Sequence, residues 1–133
     1  NRVVRYWRSG EFSIAKLKKG WMLPHPTFFV KKEMYNRYGL YNTELKSAAD
    51  YEMILRLLYK YNISVRYIPD ILVTMRQGGV SNSSLWNRIK ANREDSLAWK
   101  TNDLYQPFLI RIMKPLIKIR QFFVTPKNQL LNK

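Results

Sequence analysis

Hydrophobic and polar positions change period several times along this chain, and each change marks a predicted element. Val3 to Trp7 is short, β-branched and aromatic, the pattern of a strand. Phe12, Ile14 and Leu17 are then spaced by two to three residues, lysines lie in the last turn and Gly20 stands at the C′ position, which predicts a short helix. Pro24-His25-Pro26 predicts extended backbone, because a residue before proline is pushed out of the helical region. Thr27 to Val30 reads as a buried strand, and Lys31 to Tyr38 as a second short helix closed by Gly39. Ser47 is a candidate N-cap for a third helix, with Asp50 three positions on. In that helix Met53, Ile54, Leu57 and Leu58 form a stripe facing a core, and Asn62 ends it. Two strands follow, Ile63 to Tyr67 and Ile71 to Met75, separated by Pro69-Asp70. Gln77 to Ser84 is a loop by composition, and Ser84 is a candidate cap for a long polar helix from Leu85 to about Lys100.

The pattern changes again from Tyr105 to Phe123. Arg111, Lys114 and Lys118 are three and four apart and share one predicted helical face, while Phe108, Ile112, Leu116, Ile119 and Phe123 line another; Pro115 is expected to kink the helix. Such a segment can lie in a membrane interface with its cations on anionic headgroups. It can equally pack its apolar face on a core and leave a solvated basic face, and the pattern alone leaves both open.

Composition narrows the class. A chain of 133 residues with 46% hydrophobic and 14% aromatic residues can build one modest core and is not a disordered tail. The net charge of +15 implies anionic partners: nucleic acid, lipid headgroups or phosphate-bearing substrates. Nucleic acid fits less well, because the cations are spread along the chain and no recognised motif accompanies them. Absent cysteines exclude disulfides and thiolate metal sites. No signal peptide and no run of about 18 apolar residues is present. The chain opens without Met in what reads as mid-strand, which suggests a piece of a longer protein.

Three stretches carry candidate chemistry. Asp50, in the first turn of an apolar helix, suits a cap, since free N–H groups and the macrodipole favour a carboxylate there; the same position suits a general base. His25, the only histidine, is held between two prolines, as a structural residue or a ligand. The loop Arg76-Gln77-Gly78-Gly79-Val80-Ser81 pairs a guanidinium fork with permissive backbone and could clamp a diphosphate, or be an ordinary turn. It is not a Walker loop. No His/Cys metal spacing and no Asp-x-Asp pair occurs.

The order of these pieces is more distinctive than any one of them. Pro24-His25-Pro26-Thr27-Phe28-Phe29-Val30-Lys31-Lys32, then Gly39-Leu40-Tyr41, then Ala49-Asp50-Tyr51-Glu52 leading into Leu55-Arg56-Leu57, then Tyr67-Ile68-Pro69 and Met75 to Ser81, resembles the C-terminal half of family 2 glycosyltransferases of bacterial surface-polysaccharide synthesis. The resemblance implies an α/β architecture: the C-terminal part of a GT-A, Rossmann-like nucleotide-diphospho-sugar transferase fold. Residues 1–82 would be its acceptor-side part and 83–133 a helical, basic extension. It implies Asp50 as the base that deprotonates the acceptor hydroxyl, Arg76, Gly78, Gly79 and Ser81 as a donor-diphosphate loop, and His25 and Thr27 as the active-site floor. Ala49 stands where many relatives have an acid. The implied partners are a nucleotide-sugar donor and a saccharide or lipid-linked acceptor. A divalent ion, Mg or Mn, would be held mostly by the nucleotide-binding half, which no part of this chain matches, so the chain alone is expected not to transfer sugar. The implied location is cytoplasmic, and peripheral at the inner face of the plasma membrane where 105–123 takes the interfacial one of its two readings. The alternative is a basic membrane-surface or nucleic-acid-binding module without catalysis.

Overall fold

The computed structural model describes residues 6–75 and 85–120. Five helices carry the fold: α1 (Ile14–Lys18), α2 (Lys32–Tyr38), α3 (Ala49–Ile54), α4 (Leu85–Thr101) and α5 (Ile110–Arg120). A 3₁₀ turn spans His25–Thr27, and α3 runs on without a break as a π-helical segment, Leu55–Lys60. The expected α/β architecture is overturned: among the described residues there is no strand and therefore no Rossmann-like sheet.

The physical reason lies in backbone pairing. A strand exists only when its N–H and C=O groups meet a neighbouring ladder. The segments 27–30, 63–67 and 71–75 have strand composition but no ladder among the described residues. Val65, Ile68, Ile71, Leu72, Val73 and Met75 are correspondingly exposed, where a sheet would have covered them. Of the expected strand at 3–7, only Tyr6 and Trp7 are described, and neither is in a strand.

The helical expectations fare differently. Ser13 caps α1 by accepting the Lys16 N–H at 3.2 Å. The Gly20 N–H donates to Leu17 O and the Trp21 N–H to Lys16 O, both at 3.0 Å, which is a Schellman closure with Gly20 at φ +84°. Gly20 also has no room for a side chain: a Cβ there would lie 3.0 Å from the Lys114 backbone nitrogen, so α5 seats directly on the end of α1. Helix α2 ends at Gly39, whose φ is +90°. The expected Ser47 cap on α3 does not form. The N-cap position is Ala48, and Ser47 instead donates its N–H and hydroxyl to Glu94 Oε2 of α4, at 2.6 and 2.7 Å. Tertiary attraction to a carboxylate outbids a local cap of about 1 kcal/mol. Asn62, in the left-handed region at φ 47°, ends the π-helical segment as expected. The expected Ser84 cap lies outside the described residues. Helix α5 starts at Ile110 rather than near 105 and continues through Pro115.

Met53, Ile54, Leu57 and Leu58 are fully buried, as their spacing predicts, but so is Leu55, and Tyr51 and Glu52 are nearly so. Most of the helix is buried because α2, α4 and the residues that follow α4 pack around it. Leu17 and Leu23 from the first part of the chain share this core with Ala98, Trp99 and Ile110. The core is therefore common to residues on both sides of position 82.

One polar network crosses it. Glu52, 2% exposed, pairs with Arg56 at 3.0 Å and accepts from Asn102 Nδ2 at 3.0 Å. Asn102 also donates to Ala98 O of α4 at 2.9 Å. Arg56 reaches on to the carbonyls of Tyr38 and Leu40, at 2.8 and 2.7 Å, and so caps the end of α2. A Cβ on Gly39 would stand 2.8 Å from that guanidinium. Removing one partner of a buried ion pair leaves the other charge uncompensated, at about 3–5 kcal/mol. Arg56→Ala and Glu52→Ala are each expected to destabilise by that amount in urea unfolding. The double variant Glu52→Leu/Arg56→Met should lose less than either alone, because no charge is stranded.

Candidate functional site

The turn containing His25 is built by its prolines. Pro24 is extended at φ −68°, ψ 110°; Pro26 has its φ preset for the turn. The Thr27 N–H and hydroxyl both donate to Pro24 O, at 3.0 and 2.9 Å, and the Phe28 N–H donates to His25 O at 3.1 Å. The expectation of extended backbone at His25 is thus corrected to a 3₁₀ turn. Thr27 sits beside His25, with its hydroxyl used to close that turn.

Asp50 meets this turn from the other side of the molecule. Its Oδ2 lies 3.0 Å from His25 Nδ1, and its Oδ1 accepts the Tyr51 N–H at 2.8 Å. Both side chains remain open to water, 51% for His25 and 29% for Asp50. The carboxylate therefore does what a cap does with one oxygen and holds the imidazole with the other. Tyr41 is the third member. Burial raises its pKa above the ordinary 10.0, and the hydrogen bond with Tyr35, the charge of Tyr35 and the charge of Asp50 push the same way. Its ring lies 6.1 Å from that of Tyr35, with whose side chain it hydrogen-bonds. Phe29, just beyond the turn, is 75% exposed.

Asp50 is rigidly placed because its neighbours are tied down. On one side, Ser47 is held by Glu94. On the other, the Tyr51 hydroxyl accepts the Trp99 Nε1–H at 2.8 Å, the Lys114 ammonium lies 3.8 Å from the Tyr51 ring centroid, and Glu52 is in the buried network. Burial raises the pKa of Tyr51 too, outweighing the hydrogen bond from Trp99. For Glu94 the balance is reversed. Burial pushes its pKa up, but hydrogen bonds from the Ser47 hydroxyl and the Ser47 and Ala48 N–H groups, with the charge of Lys90, bring it below 4.5.

Of the residues singled out by sequence, the fold brings His25, Thr27 and Asp50 together. Arg76, Gly78, Gly79 and Ser81 lie outside the described residues. Sequence reasoning missed Tyr41 and Glu94. Neither could be found there, since Glu94 meets Ser47 only across the α3–α4 packing. The pair lies on open surface; the grooves of about 580 Å³ between Glu11 and Tyr67 and about 410 Å³ between α4 and α5 do not include it. Among the described residues no group of three or more His, Cys, Asp or Glu side chains could hold a metal ion, and the divalent ion that the resemblance implies would be held mostly outside this chain. As arranged, the cluster offers a carboxylate oriented by an imidazole, a phenol donor and an exposed aromatic surface. That set can accept a proton from a bound hydroxyl. No protein-family model, curated protein or solved structure matches this chain.

The lowered pKa of Glu94 has a stability consequence. A carboxylate whose folded pKa is depressed contributes stability above its unfolded pKa, and that contribution is lost as pH falls through the folded value. Glu94→Gln is expected to lower the melting temperature at pH 7. The gap between variant and wild type should close as pH is taken below 4.5. Thermal unfolding followed by circular dichroism from pH 7 to pH 3 checks it; a gap that persists at the acid end refutes the assignment.

Proposed function

We propose that this chain is the acceptor-side part of an inverting glycosyltransferase of bacterial surface-polysaccharide synthesis, with Asp50 as the general base. The observation that supports the reading best is the 3.0 Å contact between His25 and Asp50. The resemblance assigns these two residues to one site, and they lie far apart in sequence. The site supports this reading independently of the fold, since one chemistry recurs on unrelated architectures.

Asp50 takes the proton of the acceptor hydroxyl as that oxygen attacks the anomeric carbon. The bond from that carbon to the nucleoside diphosphate breaks, the diphosphate leaves with the electron pair, and the sugar is now joined to the acceptor oxygen with inverted configuration. His25 is a positioning residue. Its Nδ1–H, donated to Oδ2, aims the carboxylate. The Tyr41 phenol can hydrogen-bond the saccharide, and exposed rings such as Phe29 can pack on its apolar face. Arg76 would meet the charge developing on the leaving diphosphate. The donor is a nucleotide sugar, the acceptor a saccharide or lipid-linked saccharide, and the site of action the cytoplasmic side of the plasma membrane.

In the intact gene product, Asp50→Asn is expected to lower kcat by about 10²–10⁴ while leaving the circular dichroism spectrum unchanged. His25→Phe removes the side chain that holds Oδ2 in one direction, so a smaller loss of kcat with little change in KM is expected. Nucleotide release coupled to sugar transfer measures both. Full activity in Asp50→Asn would leave Asp50 as a helix cap only.

A further inference from the structure

Helix α5 seats Ile110 on the domain with Met113 and Ile117 partly buried, and leaves a second apolar stripe outside. Ile110 and Lys114 face the domain. The Lys114 ammonium, expected on a solvated basic face, instead pairs with Asp95 of α4 at 2.5 Å and lies over the Tyr51 ring. The outward side carries Ile112 and Leu116, 50% and 52% exposed. Tyr105, Phe108 and Leu109, leading into the helix, are 86%, 71% and 59% exposed. Leu109, Ile112 and Leu116 recur at helical spacing, so they form one stripe.

The charges around the stripe say what covers it. Each of the three acids in 85–120 already has a partner: Glu94 holds Ser47, Asp95 holds Lys114, and Asp103 holds Lys60 at 3.0 Å. Eight cations share the same stretch. Arg93 and Arg111 are exposed and line one open groove of about 410 Å³ between α4 and α5, together with Asn92, Ser96 and Gln106. No ion pair engages either arginine among the described residues. An apolar stripe rimmed by guanidinium forks and amide donors fits a surface that is apolar below and anionic above. No helix among the described residues is long and apolar enough to cross a membrane.

We infer that the α4–α5 face is an interfacial membrane-docking surface for anionic phospholipid. Leu109, Ile112 and Leu116, with Tyr105 and Phe108, enter the acyl boundary, and Arg93 and Arg111 bind the lipid phosphates. This stands independently of the glycosyl-transfer reading.

Co-sedimentation of the 133-residue chain with vesicles tests it. Binding is expected to equal parts of phosphatidylglycerol and phosphatidylcholine and to be lost on phosphatidylcholine alone. Ile112→Asp/Leu116→Asp should abolish it, and Arg93→Gln/Arg111→Gln should weaken it on the order of tenfold in a salt-sensitive way. All four positions are solvent-facing, and circular dichroism checks that the variants fold. Met75→Asp, at an exposed apolar residue of another segment, should bind as the wild type does. Equal binding to neutral vesicles, or equal loss in Met75→Asp, overturns the proposal. So does a dimer, seen by sedimentation, that Ile112→Asp/Leu116→Asp dissolves without vesicle binding. Duplex DNA or RNA captured through the two arginines while vesicles stay unbound overturns it as well.

Discussion

Glu52 and Arg56 form an ion pair inside the core, and the arrangement of the other helices follows from how that pair is satisfied. A carboxylate that is 2% exposed must find partners for both oxygens, or its desolvation would unfold a domain of this size. One oxygen takes Arg56, the other takes Asn102 at the end of α4. The guanidinium in turn needs acceptors, and it finds the free carbonyls where α2 ends. Its Nε remains without a partner, a residual cost of the arrangement. The pair thus fixes α2 and α4 against α3. Gly39 is confined to glycine by both its φ of +90° and the approach of the same guanidinium.

The chain has nine acids against 24 lysines and arginines, and it uses the acids as ties between distant segments. Asp50 joins His25, Glu94 joins Ser47, Asp95 joins Lys114 and Asp103 joins Lys60, besides the Glu52 pair. Ties of this kind are individually weak at the surface but fix direction well. The surplus positive charge is consequently left on the outside, where it attracts anions. The apolar side of α5 and the unladdered segment 63–75 add exposed hydrophobic surface to that charge. A basic exterior with exposed apolar stripes is suited to work at an interface.

Asp50 shows how one carboxylate ties two segments at once. The oxygen that accepts the Tyr51 N–H anchors the carboxylate to the helix, and the oxygen facing His25 is held in one direction. Because Tyr51 and Glu52 behind it are locked to Trp99 and Arg56, the backbone that carries the carboxylate is held in place.

The amino-acid sequence by itself determined the local features. The cap-and-glycine frame of α1, the Gly39 and Asn62 stops and the buried stripe Met53, Ile54, Leu57 and Leu58 all follow from contacts within a few residues, which periodicity and φ preference encode directly. It also marked His25 and Asp50. Only the tertiary structure decided the rest. Whether 27–30, 63–67 and 71–75 become strands depends on a neighbouring ladder, and strand composition records the capacity for one without supplying it. Whether Ser47 caps α3 depends on Glu94, which reaches it only when α4 packs. Which side of α5 faces inward depends on Asp95 and Tyr51 capturing Lys114. That His25 and Asp50 touch depends on the core that brings a 3₁₀ turn against the start of α3. Each of these is a contact between residues remote in sequence, and periodicity along a chain carries no record of what lies across from it.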